Sequence, residues 1–179
     1  MALDLPDKAR DALAGWRAQA LGGREELRLV DPAALHVTLV FLGYLPEEEI
    51  RHIAELVQGA VPDASPPVLA ACGVKPVPPR GPRLFALDLD DEDRRCGALQ
   101  ASVSDALARA RLYKPEKRPF WPHVTLARVR KGARVRLPDI PPPPPEPWRG
   151  AAVTLYRSVL RREGARYEAL DRVPLDSSR

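Results

Sequence analysis

The chain has 179 residues, 45% of them hydrophobic and 29% charged, with a net charge of +4 and a pI near 9.3. That length suits one domain or two small lobes sharing a core, and the ordinary apolar content fits a soluble globular protein. No apolar run approaches the ~20 residues of a membrane-spanning helix, and two cysteines outside any CxxC pattern exclude a disulfide scaffold.

In chain order, Ala2 to Leu5 reads as a short strand. Asp4 and Asp7 stand where a signal peptide carries basic and then apolar residues, so a cytoplasmic protein is expected. Pro6 suits a first helical turn. Ala9, Ala12, Leu13, Trp16 and Ala20 then follow helical spacing until Gly22-Gly23. Leu27 to Val30 reads as a strand, Asp31-Pro32 as a turn and Leu35 to Leu42 as a strand. Pro46 opens a second helix with an apolar stripe of Ile50, Ile53, Ala54, Val57 and Val61. His52 lies off that stripe among Glu48, Glu49 and Glu55, on a solvated acidic face.

Pro62 to Pro67 breaks the chain. Val68 to Val77 and Leu84 to Leu89 are expected strands around a stiff loop, Pro76 to Pro82, flanked by Lys75 and Arg83. A helix runs from about Asp91 to Ala110, with Cys96, Leu99, Val103, Ala106, Leu107 and Ala110 on one face. Cys72 and Cys96 are both expected to be small buried residues. Leu112 to Trp121 is a basic, aromatic loop before the strand Val124 to Val129. Seven prolines between Pro138 and Pro147 enforce an extended connector. Ala152 to Leu160 and Tyr167 to Val173 are two strands joined by a turn at Gly164.

One tetrapeptide occurs twice, as His36-Val37-Thr38-Leu39 and His123-Val124-Thr125-Leu126, in a chain with three His and three Thr. Random placement would set Thr at i+2 from two of the three His about one time in a thousand. On a strand, i and i+2 share a face, so each imidazole would stand beside its hydroxyl, with Val and Leu pointing away. Val153-Thr154-Leu155 repeats the pattern without His, which marks Val-Thr-Leu itself as ordinary strand chemistry. Two such strands would line opposite walls of one cleft.

A second echo supports convergence. Ala2-Leu3-Asp4-Leu5 and Ala86-Leu87-Asp88-Leu89 each head a helix, and their Ala residues precede the motif His by 34 and 37 positions. The order strand, helix, His-strand thus occurs twice. A duplicated α+β domain spanning 1–179 is expected, with pseudo-repeats near 2–61 and 84–137. Its two lobes of antiparallel sheet would carry helices outside and a cleft between. Nine Lys/Arg against one acid, Glu116, between Arg111 and Leu137 form a basic collar around the second motif, which attracts phosphates.

Paired imidazoles serve as general base and general acid, because a pKa near ~6.5 allows either protonation state at neutral pH. Displacement at phosphorus needs both, one on the attacking oxygen and one on the leaving oxygen. The Thr hydroxyls would stabilise charge on the non-bridging oxygens. No third His or acid lies close to either motif in sequence, and HExxH, GxSxG, P-loop and GxGxxG patterns are absent, so no metal or cofactor is expected. Arg128 follows the second motif, but strict alternation turns it away from His123 unless the strand bends. Phe41 has the same parity and is expected in the core. Phe120, Trp121 and Tyr156 are candidate base-stacking surfaces.

These paired motifs resemble those of the two-histidine (2H) phosphoesterases. His36-Val-Thr-Leu-Val-Phe-Leu-Gly43 and Arg118-Pro-Phe-Trp-Pro-His-Val-Thr-Leu-Ala-Arg128 are similar to the RNA 2′,3′-cyclic phosphodiesterase branch, also known as the 2′-5′ RNA ligase family. Ala2-Leu-Asp-Leu-Pro6, Leu155-Tyr-Arg-Ser-Val-Leu160 and Gly164-Ala-Arg-Tyr167 extend the likeness over nearly the whole chain; a short first strand and a long proline connector depart from it. The resemblance implies hydrolysis of a terminal RNA 2′,3′-cyclic phosphate to a 2′-phosphomonoester without metal or cofactor, and some members also join RNA ends in vitro. It implies His36 as proton donor, His123 as proton acceptor, and Thr38 and Thr125 as phosphate ligands. Arg83, Arg128, Arg130, Phe120, Trp121 and Tyr156 are further candidates for substrate contact. A monomer with RNA as its partner is expected. The alternatives are a phosphodiesterase on small cyclic nucleotides or 2′-5′ oligonucleotides, and a non-catalytic RNA-binding module.

Overall fold

The computed structural model of the chain describes residues 1–61, 66–136, 139–161 and 164–175. The expected Pro62–Pro67 break, the start of the proline connector and the turn before Gly164 fall partly outside these residues. The elements are β1 (Ala2–Asp4), α1 (Asp7–Leu21), β2 (Leu27–Leu29), β3 (His36–Thr38), α2 (Glu49–Ala60), β4 (Val68–Val77), β5 (Leu84–Asp90), α3 (Arg95–Arg109), β6 (His123–Val129), β7 (Trp148–Arg149), β8 (Ala152–Arg161) and β9 (Gly164–Pro174). None of the helices among the described residues is long and apolar enough to cross a membrane.

All the strand pairs are antiparallel, in the order β7-β4-β5-β6-β3-β1-β8-β9, with β2 added alongside β6. The two motif strands do not stand on opposite walls. β3 and β6 are hydrogen-bonded neighbours, paired through Val37 and Val124. The order reads alike outward from that seam: β3-β1-β8 on one side, β6-β5-β4 on the other. The two Ala-Leu-Asp segments occupy equivalent places, Ala2 pairing with Thr38 as Ala86 pairs with Thr125, and Asp4 with His36 as Asp88 with His123.

Alternation explains the layering. Leu3, Val37, Val124 and Leu87 form one row across the four central strands, each at 0% exposure. Each such side chain contributes about 1.5–3 kcal/mol on burial, so this row locks the seam. Their neighbours along the strands necessarily face the other way. On the apolar side, α2 packs on α3, and Ser102 donates to the Ala60 carbonyl at 2.7 Å.

Two local readings differ. The inward stripe of α1 is Leu13, Arg17 and Leu21, while Ala12 is exposed. Arg17 spends its burial on a hydrogen bond to the Val30 carbonyl, a partner that periodicity cannot see. Cys96 is buried as expected, but Cys72 is exposed at a register shift in β4 between Ala71 and Gly73.

Candidate active site

The polar face of the four central strands is a small grid. The Val37–Val124 pairing sets His36 across from Thr125 and Thr38 across from His123. Extended to the flanking strands, one row reads Asp4, His36, Thr125, Ala86, and the other Ala2, Thr38, His123, Asp88. Each row runs acid, imidazole, hydroxyl, methyl, in opposite directions. The two imidazoles are therefore diagonal neighbours on one face, each beside a hydroxyl of its own strand and opposite one from the other. Ala2 and Ala86, both buried, leave the ends of the hydroxyl columns without bulk.

His123 Nδ1 donates to the Trp121 carbonyl at 2.8 Å, which leaves Nε2 as the free lone pair. The Ala34 backbone, again two residues upstream, favours the protonated form of His36. Trp121 stacks on His123 at 4.3 Å and 18°, and Tyr156 stacks on His36 at 5.9 Å and 24°, with Tyr167 edge-on at 5.0 Å.

The two acids hold these aromatics. Asp88 accepts from Trp121 Nε1 at 2.5 Å and pairs with Lys75 Nζ at 2.5 Å. Asp4 accepts from the Tyr156 hydroxyl at 2.9 Å and from Thr154 at 2.7 Å, with Arg172 Nε at 3.4 Å. Burial, then the Asp4 charge, pushes the Tyr156 phenol up to about 12, so it remains a donor. Alternation alone assigns neither acid a part in the chemistry. The repeated Ala-Leu-Asp-Leu is the signal, but its Asp residues gain meaning only through the register.

Burial holds the His36 imidazole down at about 4; the Met1 amine and His123 push the same way, and Asp4 and the Ala34 backbone oppose them. His36 is thus neutral at pH 7 in the free protein. The unfolded chain protonates near ~6.5, so between that pH and about 4 it binds more protons than the fold does. Stability then falls on acidification through this window, by at most about 3 kcal/mol from this residue. Acidification from pH 7 to pH 4 should lower the melting temperature of the protein more than that of His36→Gln. Parallel curves would contradict a buried neutral His36.

Two cavities meet at the grid. One, of about 600 Å³, is lined by His36, Thr38, Thr125, Arg128, Tyr167 and residues of the 28–34 segment. The other, of about 350 Å³, is lined by His123, Thr38, Phe120, Trp121, Arg118 and one face of α3. Thr38 borders both. Arg128 reaches the first cavity because β6 bulges: Phe85 pairs with Ala127 but Ala86 with Thr125, leaving Leu126 without a partner on β5. The extra residue reverses the parity and turns Arg128 onto the face of His123.

Phe41 is not in the core; at 74% exposure it borders the second cavity. The regular part of β3 stops at Thr38, so alternation no longer governs Phe41. Arg83 and Arg130 are exposed and line neither cavity, while Tyr156 acts on His36 through its ring. His52 is exposed beside Glu49, at 3.3 Å, as its acidic surroundings suggested. Among the described residues no group of three or more His, Cys, Asp or Glu is placed to hold a metal ion.

Residues 5–161 match the family model described as the 2′-5′ RNA ligase superfamily. The chain is 32% identical over 178 residues to an RNA 2′,3′-cyclic phosphodiesterase of Thermus thermophilus, covering 97% of this chain and 88% of that one. It is 31% identical over 185 residues to the protein of that name from Escherichia coli K12, covering 96% and 92%. The crystal structure of TT0787 from Thermus thermophilus superimposes with a TM-score of 0.78 at 30% identity, covering 99% of this chain and 97% of that one.

Proposed function

The chain belongs to the 2′-5′ RNA ligase superfamily, and within it we propose an RNA 2′,3′-cyclic phosphodiesterase that forms 2′-phosphomonoester ends without a metal. The observation that carries this reading is the pair of opposed His–Thr rows at the meeting point of two cavities. The phosphate sits over Thr38 and Thr125, which donate to its non-bridging oxygens. Water attacks phosphorus from the side of His123, whose free Nε2 takes the proton. The bond from phosphorus to the 3′ oxygen breaks on the side of His36, which supplies the proton that oxygen needs. His36 is neutral in the free protein, so it gains its proton as the phosphate anion arrives and offsets the desolvation.

Both motifs come from one chain, which supports a monomer as the working unit; RNA ends as substrate fit a cytoplasmic enzyme. The duplicated 2–61 and 84–137 segments read as one bilobal domain whose halves each supply one imidazole. The test is incubation with an oligoribonucleotide bearing a 2′,3′-cyclic end, with and without EDTA. A 2′-phosphate product formed at the same rate in both is expected. A 3′-phosphate, or loss of turnover with chelator, would contradict the assignment.

Asp88 is a positioning residue in this reading, acting through Trp121 on His123. Asp88→Asn should lower kcat by about 10–100-fold while KM changes little, and should move one limb of the pH–rate profile. A stability change with kcat and the profile untouched would make Asp88 merely structural.

A further inference from the structure

Five exposed cations meet at one end of the sheet, outside both cavities: Arg80 and Arg83 between β4 and β5, and Arg130, Lys131 and Arg134 after β6. Main-chain bonds bring the two segments together. The Val129 amide donates to the Arg83 carbonyl at 2.8 Å, and the Arg130 amide donates to the Glu26 carbonyl at 2.9 Å. Both segments are stiff. Pro78, Pro79 and Pro82 frame Arg80, and the loop closes where the Arg83 amide donates to the Val77 carbonyl at 2.8 Å. Arg130 to Ala133 form a tight turn, closed by the Ala133 amide on the Arg130 carbonyl at 3.0 Å, with Gly132 at φ 83° and Lys131 at its crest. The charges thus stand on backbone with little freedom left to lose on binding.

Among the described residues, none of the five has a carboxylate within ion-pair distance. Of the acids beside them, Glu26 pairs with Arg24 at 3.3 Å and Glu25 is exposed. Five cations less one unpaired acid equal the net charge of the whole chain, +4, so the rest of the molecule is balanced. A surface charged only for solubility intersperses the two signs. Here one sign is gathered at one end.

An array of this kind fits an anion of extended charge, and a nucleic-acid backbone repeats one charge per nucleotide. Thr125 and Arg130 are five residues apart, so about 17 Å of chain separates the His–Thr grid from the array. A stacked nucleotide spans ~3.4 Å, so about five of them bridge that interval. We propose that this end of the sheet is a docking surface for the body of the RNA whose end reaches the grid. The identity of the partner rests on the phosphodiesterase reading. The surface favours longer RNA over a mononucleotide, which is too short to touch it.

The experiment is fluorescence anisotropy with 5′-labelled oligoribonucleotides that end in a 2′-phosphate, which needs no turnover. Affinity should stay flat up to about five nucleotides and then rise, so that a chain of about twelve binds at least tenfold more tightly than a dinucleotide. In the double variant Lys131→Gln, Arg134→Gln this gain should largely vanish. The slope of log K against log salt should fall by about 1.4, the share of two phosphates at ~0.7 each. Arg80→Gln, on the other segment, should remove about half as much slope. Lys114→Gln with Lys117→Gln, which takes the same charge from the loop before β6, should keep both gain and slope. Turnover of adenosine 2′,3′-cyclic phosphate should be unchanged in all three variants, which shows them folded. Affinity independent of length in the wild-type protein would overturn the surface and give the array to an acidic protein. An equal loss in the Lys114, Lys117 variant would overturn it in favour of diffuse attraction. No turnover of any cyclic substrate, with the length gain present and lost in the Lys131, Arg134 variant, would refute the enzyme reading and keep the surface.

Discussion

His36→Ala and His123→Ala should each lower single-turnover hydrolysis of a 2′,3′-cyclic RNA end by about 10³-fold, within the usual range for loss of a general acid or base. The two losses should not add. Once one proton transfer is gone, the other imidazole has no concerted step to assist, so the double variant should be about as slow as either single one. Affinity for the 2′-phosphate product should stay within a few-fold, because the proposed reading leaves the phosphate contacts to the threonines. The fold should survive both changes. Neither imidazole belongs to the apolar row, and His123 gives up one hydrogen bond to a backbone carbonyl. Rapid-quench assays read the rate and calorimetry the affinity. A variant with more than a tenth of the normal rate would remove its histidine from the chemistry, and additive losses would argue for two independent roles.

The second large effect belongs to the hydroxyls. Thr38→Val and Thr125→Val keep shape and strand propensity while deleting one donor each. Removing a donor aimed at a charge that grows in the transition state costs about 10²–10³ in kcat. The larger loss should fall on Thr38, which borders both cavities. Thr→Ser at either site should recover most of the rate. If the valine variants change KM alone, the hydroxyls hold the ground state and do not favour the transition state.

Much of this arrangement was legible in the chain. Period-two alternation was enough to put each His beside its Thr, and the Ala-Leu-Asp-Leu echo was enough to suggest two matching halves. What alternation could not supply was pairing between distant strands. Asp4 and Asp88 became visible as supports for the aromatics only when the ladder set them opposite the imidazoles. The orientation of Arg128 hinged on a one-residue irregularity at Leu126, which leaves no mark in composition. Phe41 was misplaced because the parity rule was carried beyond the last regular residue of β3. The two-residue strand β7 falls below the length at which any period can be counted.

The seam between β3 and β6 has a mechanical corollary. Where reactive groups sit on separate bodies, a hinge can part them and substrate entry can be timed by closure. Here the interval between the imidazoles is gauged by main-chain bonding, about 4.8 Å from one strand axis to the next, and prising it wider would mean tearing the middle of the sheet. The reactive centre therefore behaves as a fixed jig.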